Sequence, residues 1–310
     1  MTLAIETTEL SKRYGKKEVV SGVSFKVKPG EVYALVGPNG AGKTTVIRLV
    51  TGLAFPTKGK VSLMGLDPHE KPMVRRKLGA VVEAPAAFYP YLSGRENLQL
   101  HAKLAGGVSP ERITEVLEMM GLSEAQAVKT GVYSLGMRQR LGVAAAMLTK
   151  PEVLILDEPA SGMDPLSLHL VHSVLQNAAK EGAAVLLSTH HLDEVVAYCS
   201  SVGIMEEGRL IDEVDIAARR ERYRAKVSDA IKAQQILRYQ EFIKQVGTRG
   251  DNVVFTLTHP YALSNVVSCL MKQNINVLGL GPDIFNLRAY YQDRLSGNRA
   301  DAKADSAAVG

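Results

Sequence analysis

The chain is poor in cysteine: among 310 residues only Cys199 and Cys269 occur, far apart in sequence. That scarcity excludes a disulfide framework and a cysteine-based zinc site, and it fits a reducing, cytosolic compartment. Long apolar runs are missing too. No stretch approaches the ~18–20 residues that span a bilayer, and Met1 to Lys17 is polar and alternating, without the apolar core of a signal peptide. If the protein serves a membrane process, it does so through a partner. Nor is there a large excess of one charge. The 37 Lys and Arg against 32 Asp and Glu leave a net +5, compatible with anionic ligands or with a plain solvated surface. His69, His101, His169, His172 and His259 show no metal-ligand spacing, and His191 reads as an exposed neighbour of His190.

What is present describes an ordinary globular chain. Hydrophobic residues make up 46% and charged residues 22%, enough to bury a sizeable core, with room for one large and one smaller domain. Leu3, Ile5 and Thr7 alternate with polar neighbours, as do Val23, Phe25 and Val27 before the turn at Pro29-Gly30. Glu31 to Val36, Val153 to Leu156 and Ala183 to Ser188 are near-continuous apolar strands. Helical segments stand between them, from Lys43 to about Thr51, through most of Pro72 to Leu148, and from Leu166 to Glu181. Apolar strands alternating with helices predict a parallel sheet covered on both faces.

The composition shifts after Gly208. The first domain is expected to span residues 1–215. The basic run within 216–227 (RRERYRAK at 219–226) reads as the solvated face of a linker, with contact to anionic lipid as the alternative. Tyr223–Val227 also reads as a strand, and residues 228–296 predict a small α/β domain, with a helix over Asp229–Val246 and then strand, helix, strand and helix. The tail, 297–310, is rich in Ala, Asp and Ser and is expected to be disordered.

Chemistry concentrates in two places. Gly37-Pro38-Asn39-Gly40-Ala41-Gly42-Lys43-Thr44, followed by Thr45, fits the G-x-x-x-x-G-K-[ST] phosphate loop and lies between a strand and a helix. Its glycines let backbone N–H groups turn toward phosphate oxygens, and the helix adds its positive dipole end. Lys43 supplies charge to the β- and γ-phosphates, and the Thr44 hydroxyl is a natural Mg²⁺ ligand. The second place is Val153-Leu154-Ile155-Leu156-Asp157-Glu158, where two acids emerge at the carboxyl end of a buried strand. Asp157 suits Mg²⁺ and Glu158 suits the general base that polarises an attacking water.

With further motifs in order, the chain resembles the ABC transporter ATPases over about residues 3–212. Tyr14, in SKRYG, stands where that family stacks an aromatic on adenine. Tyr133-Ser134-Leu135-Gly136-Met137 stands where its signature peptide belongs, Ser161-Gly162-Met163-Asp164 matches the D-loop, and His190 matches the switch histidine. The resemblance implies an α/β fold: a P-loop NTPase ABC cassette with a mixed sheet core and a helical subdomain at about 85–150, followed by the small C-terminal α/β domain. It implies ATP and Mg²⁺ as cofactors. It also implies a second ATPase subunit in a nucleotide-sandwich dimer, in which Ser134, Gly136 and Asp164 serve the partner's nucleotide. The signature helix, read as Met137 to about Leu148, would aim its dipole at that γ-phosphate.

Two departures stand out. The signature's first glycine is Leu135 and its glutamine is Met137. In the loop that links nucleotide to membrane subunit, the family's Gln is Glu83, which the resemblance places near Mg²⁺ and the attacking water. Glu83, the following Phe88-Tyr89-Pro90 and Leu92–Leu98 segments, and YSLGMRQRLG resemble the bacitracin and lantibiotic self-protection branch. That branch pairs with polytopic ABC-2 type membrane subunits at the cytoplasmic face of the membrane. Two other classes fit worse. A soluble ABC ATPase of ribosomes or nucleic acid would carry two cassettes, coiled coils or zinc insertions, none of which is found, so no nucleic-acid partner is expected. A P-loop kinase or GTPase would need a base-recognition or acceptor site in place of the signature.

Overall fold

Strands buried on both faces organise the amino-terminal unit, Met1–Val214, of a computed structural model that describes residues 2–82 and 88–295. It begins with β1 (Ile5–Tyr14), β2 (Lys17–Val27), β3 (Val32–Val36), α1 (Lys43–Val50), β4 (Lys58–Leu63) and β5 (Leu78–Val81). Three helices follow: α2 (Gly94–Leu104), α3 (Pro110–Met119) and α4 (Leu135–Met147). The chain then alternates through β6 (Val153–Asp157), α5 (Pro165–Lys180), β7 (Ala184–Thr189), α6 (Leu192–Tyr198), β8 (Ser201–Glu206) and β9 (Arg209–Asp215).

Two sheets result. β1 pairs antiparallel with β2 and β4, giving the order β2-β1-β4. The larger sheet has the order β5-β6-β7-β3-β8-β9, with β5 to β8 parallel as apolar runs such as VYALV and VLILD demand. α1 lies in the core between them: Ile47, Leu49 and Val50 are buried together with Ile5, Phe25, Ile155 and Leu186. Each such side chain removed from water contributes about 1.5–3 kcal/mol. Because β6, β7 and β3 are neighbours running the same way, residues 37–44, 157–158 and 189–190 all emerge at one edge.

The helical region is fixed by caps. Ser93 and Glu96 form a reciprocal capping box on α2. The buried Asn97 amide ties the carbonyls of Tyr89, Leu92 and Ser93 and accepts from the Tyr89 N–H. The Leu92–Leu98 segment is thus an anchor for residues 88–93. Ser134 caps α4, which opens at Leu135, two residues before the expected Met137, so Gly136 lies in its first turn.

The second unit, Asp215–Gly310, carries α7 (Ile216–Arg220), β10 (Arg222–Val227), α8 (Ala230–Leu237), β11 (Ile243–Arg249), β12 (Asn252–Leu257), α9 (Leu263–Lys272), β13 (Val277–Pro282) and α10 (Leu287–Leu295). Two expectations are corrected here. Residues 216–227 are a short helix and a strand rather than a linker: β10 is the strand read over Tyr223–Val227, and it lies inside the sheet β11-β12-β10-β13. The long helix expected over Asp229–Val246 is α8 followed by β11. A register shift between Ile243 and Gln245 puts Ile243 and Val246 on the same buried side, a spacing of three that imitates a helix. Ala225, Val227, Phe255, Val266 and Leu270 complete this unit's own core. The expected tail, 297–310, lies outside the described residues.

Candidate functional site

Between β3 and α1 the chain turns through Gly37–Gly42. Gly42 has φ 99°, and a Cβ there would stand 2.8 Å from the Val19 carbonyl oxygen, so only glycine fits. At Gly37 a side chain would run into the Met205 carbonyl. Pro38, Asn39 and Gly40 form the exposed rim, while Ala41 and Thr45 are buried and Thr44 is half-buried. α1 has no acidic residue in its first turn, which leaves its N-terminal N–H groups open to an anion. Lys43 opens that helix and is buried. Its ammonium donates to the carbonyls of Gly37 at 2.8 Å and Pro38 at 3.2 Å and lies 3.5 Å from Glu158 Oε1.

Glu158 is the hub. Its second oxygen, Oε2, lies 2.9 Å from His190 Nδ1, so one carboxylate joins the phosphate loop to the end of β7. Its backbone has φ 48°, the left-handed region, and Pro159 follows it. A non-glycine residue there costs about 1–2 kcal/mol and persists because its surroundings hold it. Ser188, on the neighbouring strand, supplies that hold. Its fully buried hydroxyl donates to Asp157 Oδ1 and accepts from the Glu158 N–H at 3.0 Å. Sequence reasoning passed over Ser188. The available signal was its place at the end of a buried strand, two residues before His190.

Asp157 is buried and its carboxylate has an oxygen to spare beyond the Ser188 bond. Asp157, the Thr44 hydroxyl and phosphate oxygens make the hard-oxygen donor set that Mg²⁺ takes. That ion uses one or two carboxylates and keeps several waters, so the donors fit. No cluster of three His, Cys, Asp or Glu side chains is found among the described residues. Glu83 lies outside the described residues.

The signature and the D-loop meet each other. Ser134 Oγ accepts from the Met137 N–H at 3.1 Å. Gly162 has φ 73°, and a Cβ on it would collide with the Leu135 side chain; one on Gly136 would stand 3.9 Å from the Gly162 carbonyl and Met163. The larger residue in the signature is therefore accommodated by a glycine in the D-loop. Asp164 caps α5, accepting from the N–H groups of Leu166 at 3.1 Å and Ser167 at 3.0 Å and from the Ser167 hydroxyl at 2.6 Å. The hydrogen bonds from Ser167 hold its carboxyl below the usual range. Tyr14 ends β1 with its ring about half exposed and the Lys12 ammonium 4.9 Å from the ring centroid.

The structure thus gathers Lys43, Glu158 and His190 in direct contact, with Asp157 linked through Ser188, and sets Ser134, Gly136 and Asp164 in a second group with Gly162. Known proteins resemble this chain over most of its length. The family model for ABC transporters matches residues 20–161. The bacitracin transport ATP-binding protein BcrA of Enterococcus faecalis is 42% identical over 243 residues, covering 76% of this chain and 79% of that one. Its namesake in Bacillus licheniformis is 34% identical over 303 residues, 96% of this chain and 99% of the relative. A dimeric bacterial ABC transporter cassette superposes with a TM-score of 0.62 at 26% identity, over 68% of this chain and 98% of that one. The chain belongs to the ATP-binding subunits of ABC transporters, and it is an ATP hydrolase of that family.

Proposed function

We propose that this subunit powers an exporter of peptide antibiotics or other amphipathic compounds through polytopic ABC-2 type membrane subunits. The observation that carries the reading is the similarity to a relative named for bacitracin transport, which runs through both units of the chain and not the cassette alone. No helix among the described residues is long and apolar enough to cross a membrane. In this reading the cargo path belongs to the membrane subunits, with this chain at their cytoplasmic face.

Two copies close head to tail on two ATP molecules. Lys43 and the N–H groups of residues 37–44 hold the β- and γ-phosphates of one nucleotide, and Tyr14 stacks on its adenine. Ser134 and Gly136, at the first turn of α4, meet the same γ-phosphate from the partner, with Asp164 nearby. Glu158 accepts a proton from water as the water oxygen bonds the γ-phosphorus and the bond to the β-phosphate oxygen breaks, releasing ADP and phosphate. His190 orients the Glu158 carboxylate. Thr44 and Asp157 would hold Mg²⁺, which would supply neutralising charge to the transferring phosphoryl group. Glu83 carries the state of the site toward the membrane subunit.

The test pairs the gene with that of its membrane subunit in a host sensitive to bacitracin and to a lantibiotic. Wild type raises the inhibitory concentration, and Glu158→Gln, which keeps the phosphate cradle, does not. Unchanged sensitivity to every amphipathic peptide tried, in cells where the purified pair still hydrolyses ATP, would sink the cargo reading and leave the ATPase assignment standing.

A further inference from the structure

The second unit runs strand, helix, strand, strand, helix, strand through β10, α8, β11, β12, α9 and β13, with the sheet order β11-β12-β10-β13. Most apolar side chains of its two central strands point one way, with Val254 the exception. Ala225, Val227, Val253, Phe255 and Leu257 of the two central strands share a core with Ala233 and Leu237 of α8 and Val266 and Leu270 of α9. Successive strand residues face opposite sides, so the other sheet face is fixed by register.

That other face is basic, and it is open toward Lys226 rather than toward Arg222, whose cross-strand partner Thr256 is buried. β10 presents Arg222, Arg224 and Lys226 on it. Across the ladder, Lys226 stands beside Asn252, which pairs in turn with Arg249 of β11. Arg224 stands beside Val254 and Gly281, Lys226 beside Gly279, and Val254 beside Gly247. The paired positions thus hold four cations and no acid. Glycines occupy three of the flanking sites, so the long basic side chains rise from a shallow floor. Arg224, Lys226 and Arg249 are exposed and Arg222 is half-buried. Lys244 pairs with Glu221 at 3.8 Å, whereas no ion pair holds any of the four among the described residues. No acid lies within the four strands, and the nearest in sequence, Glu221, Asp229, Glu241, Asp251 and Asp283, stand beyond their ends.

We propose that this sheet face is a docking surface for anionic phospholipid headgroups at the membrane. Charge complementarity selects an anion, and the shape selects among anions. A single-stranded nucleic acid on a sheet face is held by aromatic side chains on which its bases stack. Here Tyr223 and Phe255, 6.0 Å apart, stack on each other on the helix side, and the basic face carries no aromatic ring at its paired positions. A phosphorylated peptide needs cations converging on one phosphate, whereas these are spread along β10 and onto β11, with β12 between those two strands. A planar array of negative headgroups needs only spread, unpaired cations. Each contributes about fivefold in binding when it reaches such a surface. The inference concerns a surface remote in sequence from the nucleotide site and does not depend on the identity of the cargo.

The test is sedimentation of the full-length chain with phosphatidylcholine vesicles, with and without phosphatidylglycerol. Binding is expected only with the anionic lipid and should weaken as salt rises past ~0.15 M. Arg224→Gln together with Lys226→Gln, two exposed positions, should lower vesicle binding roughly 25-fold, from about fivefold per charge, while ATP hydrolysis in solution is unchanged. Lys232→Gln together with Lys272→Gln, on the helices of the same unit, removes the same net charge and should leave binding within about twofold of wild type. Equal losses in both double variants would show that overall charge alone is responsible and would overturn the proposal. So would no binding to anionic vesicles, or tighter binding of wild type to a single-stranded oligonucleotide than to the vesicles at equal salt. A circular-dichroism melt of each variant guards against misfolding. If the first pair unfolds, Arg249→Gln serves instead and should lose about fivefold; no loss would overturn the proposal.

Discussion

Ser188→Ala is the sharpest probe of how the catalytic edge is held. The substitution removes one hydroxyl that is fully buried, donates to Asp157 Oδ1 and accepts from the Glu158 N–H. Both partners then lose a hydrogen bond in a place that water barely reaches, since Asp157 is 4% exposed. A buried polar group left without a partner costs about 1–3 kcal/mol, so the two together cost roughly 2–4 kcal/mol once some relaxation is allowed. For a domain of this size that lowers the melting temperature by about 5–15 °C. The catalytic effect is separate. Glu158 sits at φ 48° because the residues on either side pin it, and Ser188 holds its backbone N–H. Releasing that bond lets the carboxylate drift from the line of attack, and a shift near 1 Å costs about 100-fold in rate. The phosphate loop is untouched, so ATP should bind as before. The assays are a thermal melt, a nucleotide titration and steady-state phosphate release with Mg²⁺. A variant that melts with wild type and turns over at an unchanged rate would refute both the hydrogen-bond argument and the positioning role.

Further outcomes follow from the same geometry. Glu158→Gly and Glu158→Ala both abolish turnover, yet Gly should be more stable by about 1 kcal/mol in urea unfolding, because only Ala pays the left-handed cost at φ 48°. Gly162→Ala should lose hydrolysis and about 1–3 kcal/mol of stability through its collision with Leu135 at φ 73°. Leu135→Ala in the same chain should return part of that loss in a double-mutant cycle, and strict additivity would count against the contact. His172 stacks on Tyr198 with ring centroids 3.6 Å apart, and burial pushes its pKa down from 6.5 to about 4. The folded chain therefore binds fewer protons than the unfolded one between those values. Its contribution is complete above pH 6.5 and is lost as pH falls toward 4. The loss is about 2–3 kcal/mol, discounted because the ring is partly solvated and an imidazolium is attracted by the Tyr198 face. A denaturation series over that range checks it, and His172→Phe should flatten the curve.

Much of the proposed nucleotide edge was legible because its parts are local in sequence. Gly37 to Thr44 form one continuous turn, and Asp157 and Glu158 are adjacent, so residue type and spacing sufficed. Ser188 was not legible from spacing. It meets Asp157 only because β6 and β7 lie side by side in parallel register, with Asp157 opposite Ser188. Leu135 shows the same limit from the other side. Taken alone it is a lost glycine in the signature, and only the fold brings it onto Gly162, whose missing side chain makes the room. Asp164 was assigned to the nucleotide by resemblance. Its carboxylate oxygens are engaged by Leu166 and Ser167 at the start of α5, so within this chain its evident work is to fix where the D-loop ends and the helix begins.

The second unit teaches a narrower lesson about charge. The basic run before Val227 reads as solvated linker when its cations are counted together. Taken alternately, Arg222, Arg224 and Lys226 are separated by Tyr223 and Ala225, and Val227 follows. That is the period of two expected of a strand with one wet face and one dry one. The dry residues are small or aromatic, so their apolar signal is weak beside the charges that flank them. What fixes the assignment is the partner: β12 offers Val253, Phe255 and Leu257 on the same side, and the joint core of the two strands with α8 and α9 exists only when β10 is in the sheet. A charge run is a linker when its intervening residues have nothing to bury against. Here they have a core, and the cations are the outer face of the strand that closes it.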